Sequence, residues 1–179
     1  MLHAIIKFLE ALRSVEKYVE QVFARLSEMD IGTHQKVSLS LVLSRHDRVL
    51  RIAINEINAS EARNIADCLL AARDDLVWVK DQDDYYLPGA DLGEGYRKCN
   101  LHTSLTGLNG CGYCHPDFNL GIFILGSHTL YRDHSHAVPE LYVSLSEKIS
   151  WRFDCATWKD YPAGPVFWNK PGDRHAIRV

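Results

Sequence analysis

Three histidines, a glutamate and a tyrosine have the types and spacing to do chemistry. His134 and His136 stand two apart in Tyr131-Arg-Asp-His134-Ser-His136-Ala-Val-Pro-Glu140-Leu-Tyr142. On a strand, side chains two apart point to the same face, so both imidazoles can reach one ion. Glu140 and Tyr142 are also two apart, on what reads as the next strand after a turn near Pro139. A carboxylate adds a hard oxygen donor to two borderline nitrogen donors. That mixture suits Fe, Mn, Ni, Co or Zn, and not a structural zinc site built on thiolates. Further along, Pro171-Gly172 makes a tight turn and His175 begins the strand that follows. A third histidine from a distant strand completes a set of three His and one Glu, with open positions for water or substrate. A lone HxH pair is weak, because two exposed histidines on a strand often occur by chance. The combination with Glu140 and His175 makes binding of a divalent metal the expectation.

Rigid elements must hold these groups. From Leu2 to Met29 apolar residues recur at helical spacing (Ile5, Leu9, Leu12, Val15, Val19, Val22, Phe23, Leu26), which predicts one long amphipathic helix ending at Asp30-Ile31-Gly32. Lys36 to Ile57 is ambiguous. Val37, Leu39, Leu41 and Leu43 alternate like a strand, while Leu41, Leu43, Val49, Leu50 and Ile54 allow a helix, which is the reading adopted. Ser60 offers an N-cap to a helix from Glu61 through Arg73, with Ile65, Leu69 and Leu70 inward. After Asp74 short apolar stretches alternate with turn signals: Pro88-Gly89, Asn109-Gly110, Pro139, Pro162-Ala163-Gly164 and Pro171-Gly172. That pattern suggests an all-β sandwich or barrel. The expected organisation is a helical segment over 1–74 and a β-barrel over 75–179.

Composition narrows the function classes. A net charge of -3 and pI of about 6.3 argue against a nucleic-acid footprint. The longest apolar stretches, such as Leu120–Leu125, fall far short of the roughly 20 residues of a spanning helix. No cationic segment precedes a long apolar run near Met1, so no signal peptide is expected. Five cysteines spread over 179 residues do not read as a disulfide framework. The expectation is a cytoplasmic protein acting on a small molecule, with no nucleic-acid or membrane partner.

The second half resembles the cupin superfamily, which carries a G-x5-HxH-x3-4-E motif and a later PxG-x2-H motif. His134-x-His136-x3-Glu140 matches the first, with seven residues separating Gly126 from His134; Pro171-Gly172-x2-His175 matches the second, with one residue fewer between Pro and Gly. More narrowly it is similar to the cupin-type dimethylsulfoniopropionate lyases. The residues that carry this are Tyr131-x2-His134-x-His136-x3-Glu140-x-Tyr142, then Trp151, then Pro171-Gly172-x2-His175-Ala-Ile-Arg, with the run from Val77-Trp78 to Tyr85-Tyr86 at the mouth of the barrel. The resemblance implies a cupin barrel (a double-stranded β-helix, or jelly roll) with a helical N-terminal segment. It also implies a lyase that releases dimethyl sulfide and acrylate by β-elimination. The metal would then be held by His134, His136, Glu140 and His175. Tyr142, at the E-x-Y position, would be the base, since a nearby dication lowers a phenol's pKa. Tyr131 is a second candidate for base or for positioning substrate. The fixed positive charge of a sulfonium would seek aromatic faces, with Trp78, Tyr85, Tyr86, Tyr131, Trp151 and Trp168 as possible donors, Trp78, Tyr85 and Trp151 foremost.

Two departures stand out. Leu145–Trp151 lacks the glycine usual after E-x-Y, so its turn must use Ser146 to Lys148. The chain ends four residues past His175, which implies a shortened barrel or an open edge covered in a homodimer. Other metal cupins (dioxygenases or isomerases) and a non-catalytic binding cupin share the ligand set. Cys111-x2-Cys114, with Cys99 and His102 nearby, reads as a loop rather than a zinc site; His128 is not expected to ligate, and His3, His34 and His46 read as surface residues.

Overall fold

The computed structural model describes residues 1–14, 16–29, 47–81, 86, 90–108, 113–146 and 149–179. The expected helix end at Asp30–Gly32, the alternation from Val37 to Leu43, His34, His46, Tyr85, Cys111 and the Pro88-Gly89 and Asn109-Gly110 turns lie outside them.

The expected long first helix is two helices, α1 (Leu2–Leu12) and α2 (Lys17–Ser27). Glu16 is extended, at φ -125° and ψ 112°, and breaks the helix. One straight helix over 28 residues would run about 42 Å, leaving its far end nothing to pack on. Folded back, Leu2, Ile5, Phe8 and Leu9 of α1 share a core with Val19 and Leu26 of α2. The ambiguous segment is helical in α3 (Asp47–Asn55), which buries Leu50 and Ile54. Ser60 does not cap a helix by its side chain. It opens a short 3-10 turn, Ser60–Ala62, that leads into α4 (Arg63–Ala72). Among the described residues no helix is long and apolar enough to cross a membrane.

A short helix, α5 (Glu94–Cys99), precedes the strands β1 (Asn100–Gly107), β2 (Tyr113–Cys114), β3 (Leu120–Leu125), β4 (Leu130–His134), β5 (Glu140–Val143), β6 (Ile149–Phe153), β7 (Lys159–Tyr161), β8 (Val166–Asn169) and β9 (His175–Arg178). They form three sheets, ordered β2-β1-β3, β4-β9-β6-β7 and β5-β8. This is the expected cupin barrel with helices before it. The last strand, β9, is flanked on both sides by β4 and β6.

Period-two alternation divides the strands between two cores. Leu101 and Leu105 of β1, with Ile122 and Ile124 of β3, join the helices, while Phe123 and Leu125 turn to a second, aromatic core of Tyr96, Tyr131, Trp151, Phe167 and Ile177. On β5, Leu141 and Val143 pack on the helix side and Tyr142 faces the aromatic core; Val166 and Phe167 of β8 divide the same way. Trp168 of β8 stacks on Tyr18 of α2, with centroids 4.5 Å apart and planes within 1°. The helices thus cover the outside of β5 and β8 and hold Glu140 and Tyr142 to the inside. Leu26 is fully buried at this junction of layers. Leu26→Ala should lower the free energy of unfolding by about 2–5 kcal/mol. Urea denaturation followed by circular dichroism measures it, and a loss below about 1 kcal/mol would show that the helices do not pack closely there.

Candidate metal centre

His134 ends β4 and His175 begins β9, and the two are direct partners in the antiparallel register. Cross-strand neighbours have side chains about 5 Å apart, and their rings lie 4.2 Å apart between centroids. His136 follows on an isolated bridge with Tyr86. The Gly172 N–H donates to the His136 carbonyl at 2.8 Å, so the Pro171-Gly172 turn is tied to one histidine and delivers the other. Gly172 sits at φ 84°, in the left-handed region that glycine tolerates. The nitrogen donors of His134, His136 and His175 all lie within 4.8 Å of one another, and all three residues are buried. Glu140 Oε2 comes within 3.4 Å of His136 Nε2 and 4.0 Å of His175 Nε2.

Backbone carbonyls set the tautomers. His134 Nδ1–H donates to the Arg132 carbonyl at 2.7 Å, and His175 Nδ1–H to that of Asp173 at 3.1 Å. Both leave the Nε2 lone pair turned inward, the arrangement that orients metal-binding histidines. Asn169, the register partner of Glu140, donates from Nδ2 to His175 Nε2 at 3.3 Å. Burial sets the charges. It pushes His134 down to about 3, helped by His175, and His175 down to about 4. It pushes Glu140 up to about 7, against the hydrogen-bonding pull of Tyr142 and Asn169. It also raises Tyr142 well above the usual tyrosine value. The His134 and His175 imidazoles are therefore neutral donors at ordinary pH.

Buried in this knot, His134 Nε2 and Glu140 Oε2 have no hydrogen-bond partner among the described residues. Unsatisfied buried lone pairs cost free energy, and one cation among them would satisfy both. Donors about 2.1 Å from an ion lie up to about 4.2 Å apart, a separation the Glu140 contacts already meet. The residues fit a divalent metal, both in placement and in chemistry.

The aromatic candidates divide. Trp151 is buried in the aromatic core, 5.2 Å from Tyr142 and 6.0 Å from His175 between centroids. Tyr131 is 2% exposed, stacked on His134 at 3.8 Å and 16°. Trp78, also 2% exposed, belongs instead to the core beneath the helices, so its place is packing rather than lining this site. His128 lies in the turn before β4 at φ 61°, outside the strand whose parity would have aimed it at the site. Among the described residues His134, His136 and His175 are the group able to hold a metal; Cys99, His102 and Cys114 form none. Sequence reasoning missed Asn169 and Asp81, and named Tyr86 only as one of several aromatic candidates for a cation. The run of mixed polar and aromatic letters around the last two carries no periodicity that would mark them.

The family model described as dimethylsulfoniopropionate lyase matches residues 13–179. No curated protein matches the chain. Among solved structures, the lyase DddQ from Ruegeria pomeroyi DSS-3 superposes with a TM-score of 0.67 at 14% identity, covering 96% of this chain and 85% of that one. A structure described with the lyases RdDddP and RnDddQII gives 0.61 at 17% identity, covering 99% of this chain and 86% of that one. Both likenesses bear on the fold.

A divalent transition metal at about 100 times its Kd should add about 2.7 kcal/mol of stability. It should appear as a rise in Tm that chelator reverses; an unchanged Tm would argue against binding to the folded state. His136→Ala should lose most bound metal by elemental analysis, and full occupancy in that variant would remove His136 as a ligand.

Proposed function

The chain belongs to the dimethylsulfoniopropionate lyase family, and we propose that it cleaves dimethylsulfoniopropionate to dimethyl sulfide and acrylate, using Tyr142 as base beside a metal held by His134, His136, Glu140 and His175. The observation that carries this reading is the meeting of three buried imidazoles, one carboxylate and one tyrosine in a single knot inside the barrel. Three nitrogens and one oxygen suit Fe, Mn, Co, Ni or Zn.

In this elimination a base takes a proton from the carbon beside the substrate carboxylate. The carbon–carbon double bond forms as the carbon–sulfur bond breaks, and the electron pair leaves with neutral dimethyl sulfide. A bound divalent cation supplies positive charge for the substrate carboxylate and for the negative charge that develops there. Tyr142 lies two residues from Glu140 on the same strand face, and its hydroxyl interacts with that carboxylate. A phenol buried this deeply ionises only beside compensating positive charge, so it works as a base only in the assembled site. Trp151 and Phe167, stacked at 4.4 Å, belong to the aromatic core on which Tyr142 packs. Tyr131 serves by position: its ring holds the His134 imidazole.

Headspace gas chromatography for dimethyl sulfide, on protein loaded separately with each metal, tests the activity. Product should appear and vanish with chelator; none with any metal, in folded loaded protein, would overturn the substrate. Tyr142→Phe should keep the metal and lose about 10²–10⁴ in kcat. Unchanged turnover would remove Tyr142 as base.

A further inference from the structure

Next to the three histidines lies a second, half-buried polar group that the reaction as described does not use. Asp81 Oδ2 accepts hydrogen bonds from the hydroxyls of both Tyr86 and Tyr96, and the Tyr131 hydroxyl donates to that of Tyr86. Each phenol has one proton, and all three run toward one carboxylate. Bonds to an ionised acceptor are the stronger kind, and chains of them polarise one another. The wall these tyrosines build therefore presents rings and oxygen lone pairs, with its donors spent.

The rings differ in what they leave open. Tyr131 is closed on both faces, by Tyr96 at 3.8 Å and 11° and by His134 at 3.8 Å and 16°. Tyr96 is 1% exposed. Tyr86 remains only partly buried, paired through its backbone with His136. Its ring lies 5.0 Å from the His136 ring and 5.5 Å from that of His134. An electron-rich ring backed by a carboxylate attracts cations and repels carboxylates.

We propose that Asp81, acting through Tyr86, is a positioning residue that makes this wall select ligands with a fixed positive charge remote from their carboxylate. The carboxylate then faces the histidines and Glu140 while the cationic end faces Tyr86. The inference rests on the lyase reading for its substrate, but its test reads binding and not turnover.

Calorimetry on metal-loaded protein with two unreactive ligands decides it. One is trimethylammonio propionate; the other is its neutral tert-butyl isostere, which differs only in the charge. The wild type should prefer the cation by about tenfold. Asp81→Asn should bring the two affinities close to parity mainly by weakening the cation, and Asp81→Glu should keep the preference. A merely structural role would weaken both ligands alike in Asp81→Asn and leave the ratio unchanged, which would overturn the proposal. So would a wild type that binds both equally. If Asp81→Asn does not fold, Tyr86→Leu carries the same expectation, since it removes the ring through which Asp81 acts. A wild type that prefers the cation but makes no dimethyl sulfide would sink the lyase reading and leave this one standing.

Discussion

Desolvation of polar groups is the constraint on which this structure turns. Three imidazoles, a carboxyl and a phenol are taken out of water into an aromatic barrel. Burial keeps His134 and His175 neutral and makes ionised Glu140 expensive. Such a knot is tolerable only if its lone pairs find partners. Some do: Nδ1 of His134 and of His175 go to backbone carbonyls. The inward Nε2 of His134 and Oε2 of Glu140 do not. The same feature that costs stability without a cation makes the place attractive to one, so a metal bound there would couple its binding to folding.

The rest of the fold answers the need to hold those groups still. Strands supply the placement, because alternation sends one set of side chains inward and the next outward. On β5 the outward set, Leu141 and Val143, is gripped by the helices, so the inward set, Glu140 and Tyr142, cannot swing away. The break between α1 and α2 belongs to the same economy of space. By folding back, the chain covers β5 and β8 with two short helices instead of extending one beyond the barrel. Behind His134, the stack of Tyr131 and Tyr96 and their bonds toward Asp81 fix the opposite wall. One side of the site is thus braced by apolar packing and the other by a chain of hydroxyls.

Much of this was legible in the sequence, and the reasons are local. Strand parity alone places His134 beside His136 and Glu140 beside Tyr142, because a two-residue period is a property of any extended chain. Pro171-Gly172 announces a turn by its own backbone preferences, and the turn delivers His175. The helix-rich first half and the strand-rich second half follow from helical periodicity and from the spacing of turn signals. What the tertiary structure alone decided depends on neighbours far apart in the chain. Trp78 went to the helix-side core, though its letter fits an aromatic site lining equally well. The helical pattern through Leu26 is the same whether the helix runs straight or doubles back; a core large enough to receive both halves chose the second. Asp81, Tyr86, Tyr96 and Tyr131 meet across as many as 50 residues of chain, and Asn169 meets Glu140 only through the β5–β8 register. No spacing rule spans such distances, because long-range pairing is set by which faces bury together and not by the order of the residues.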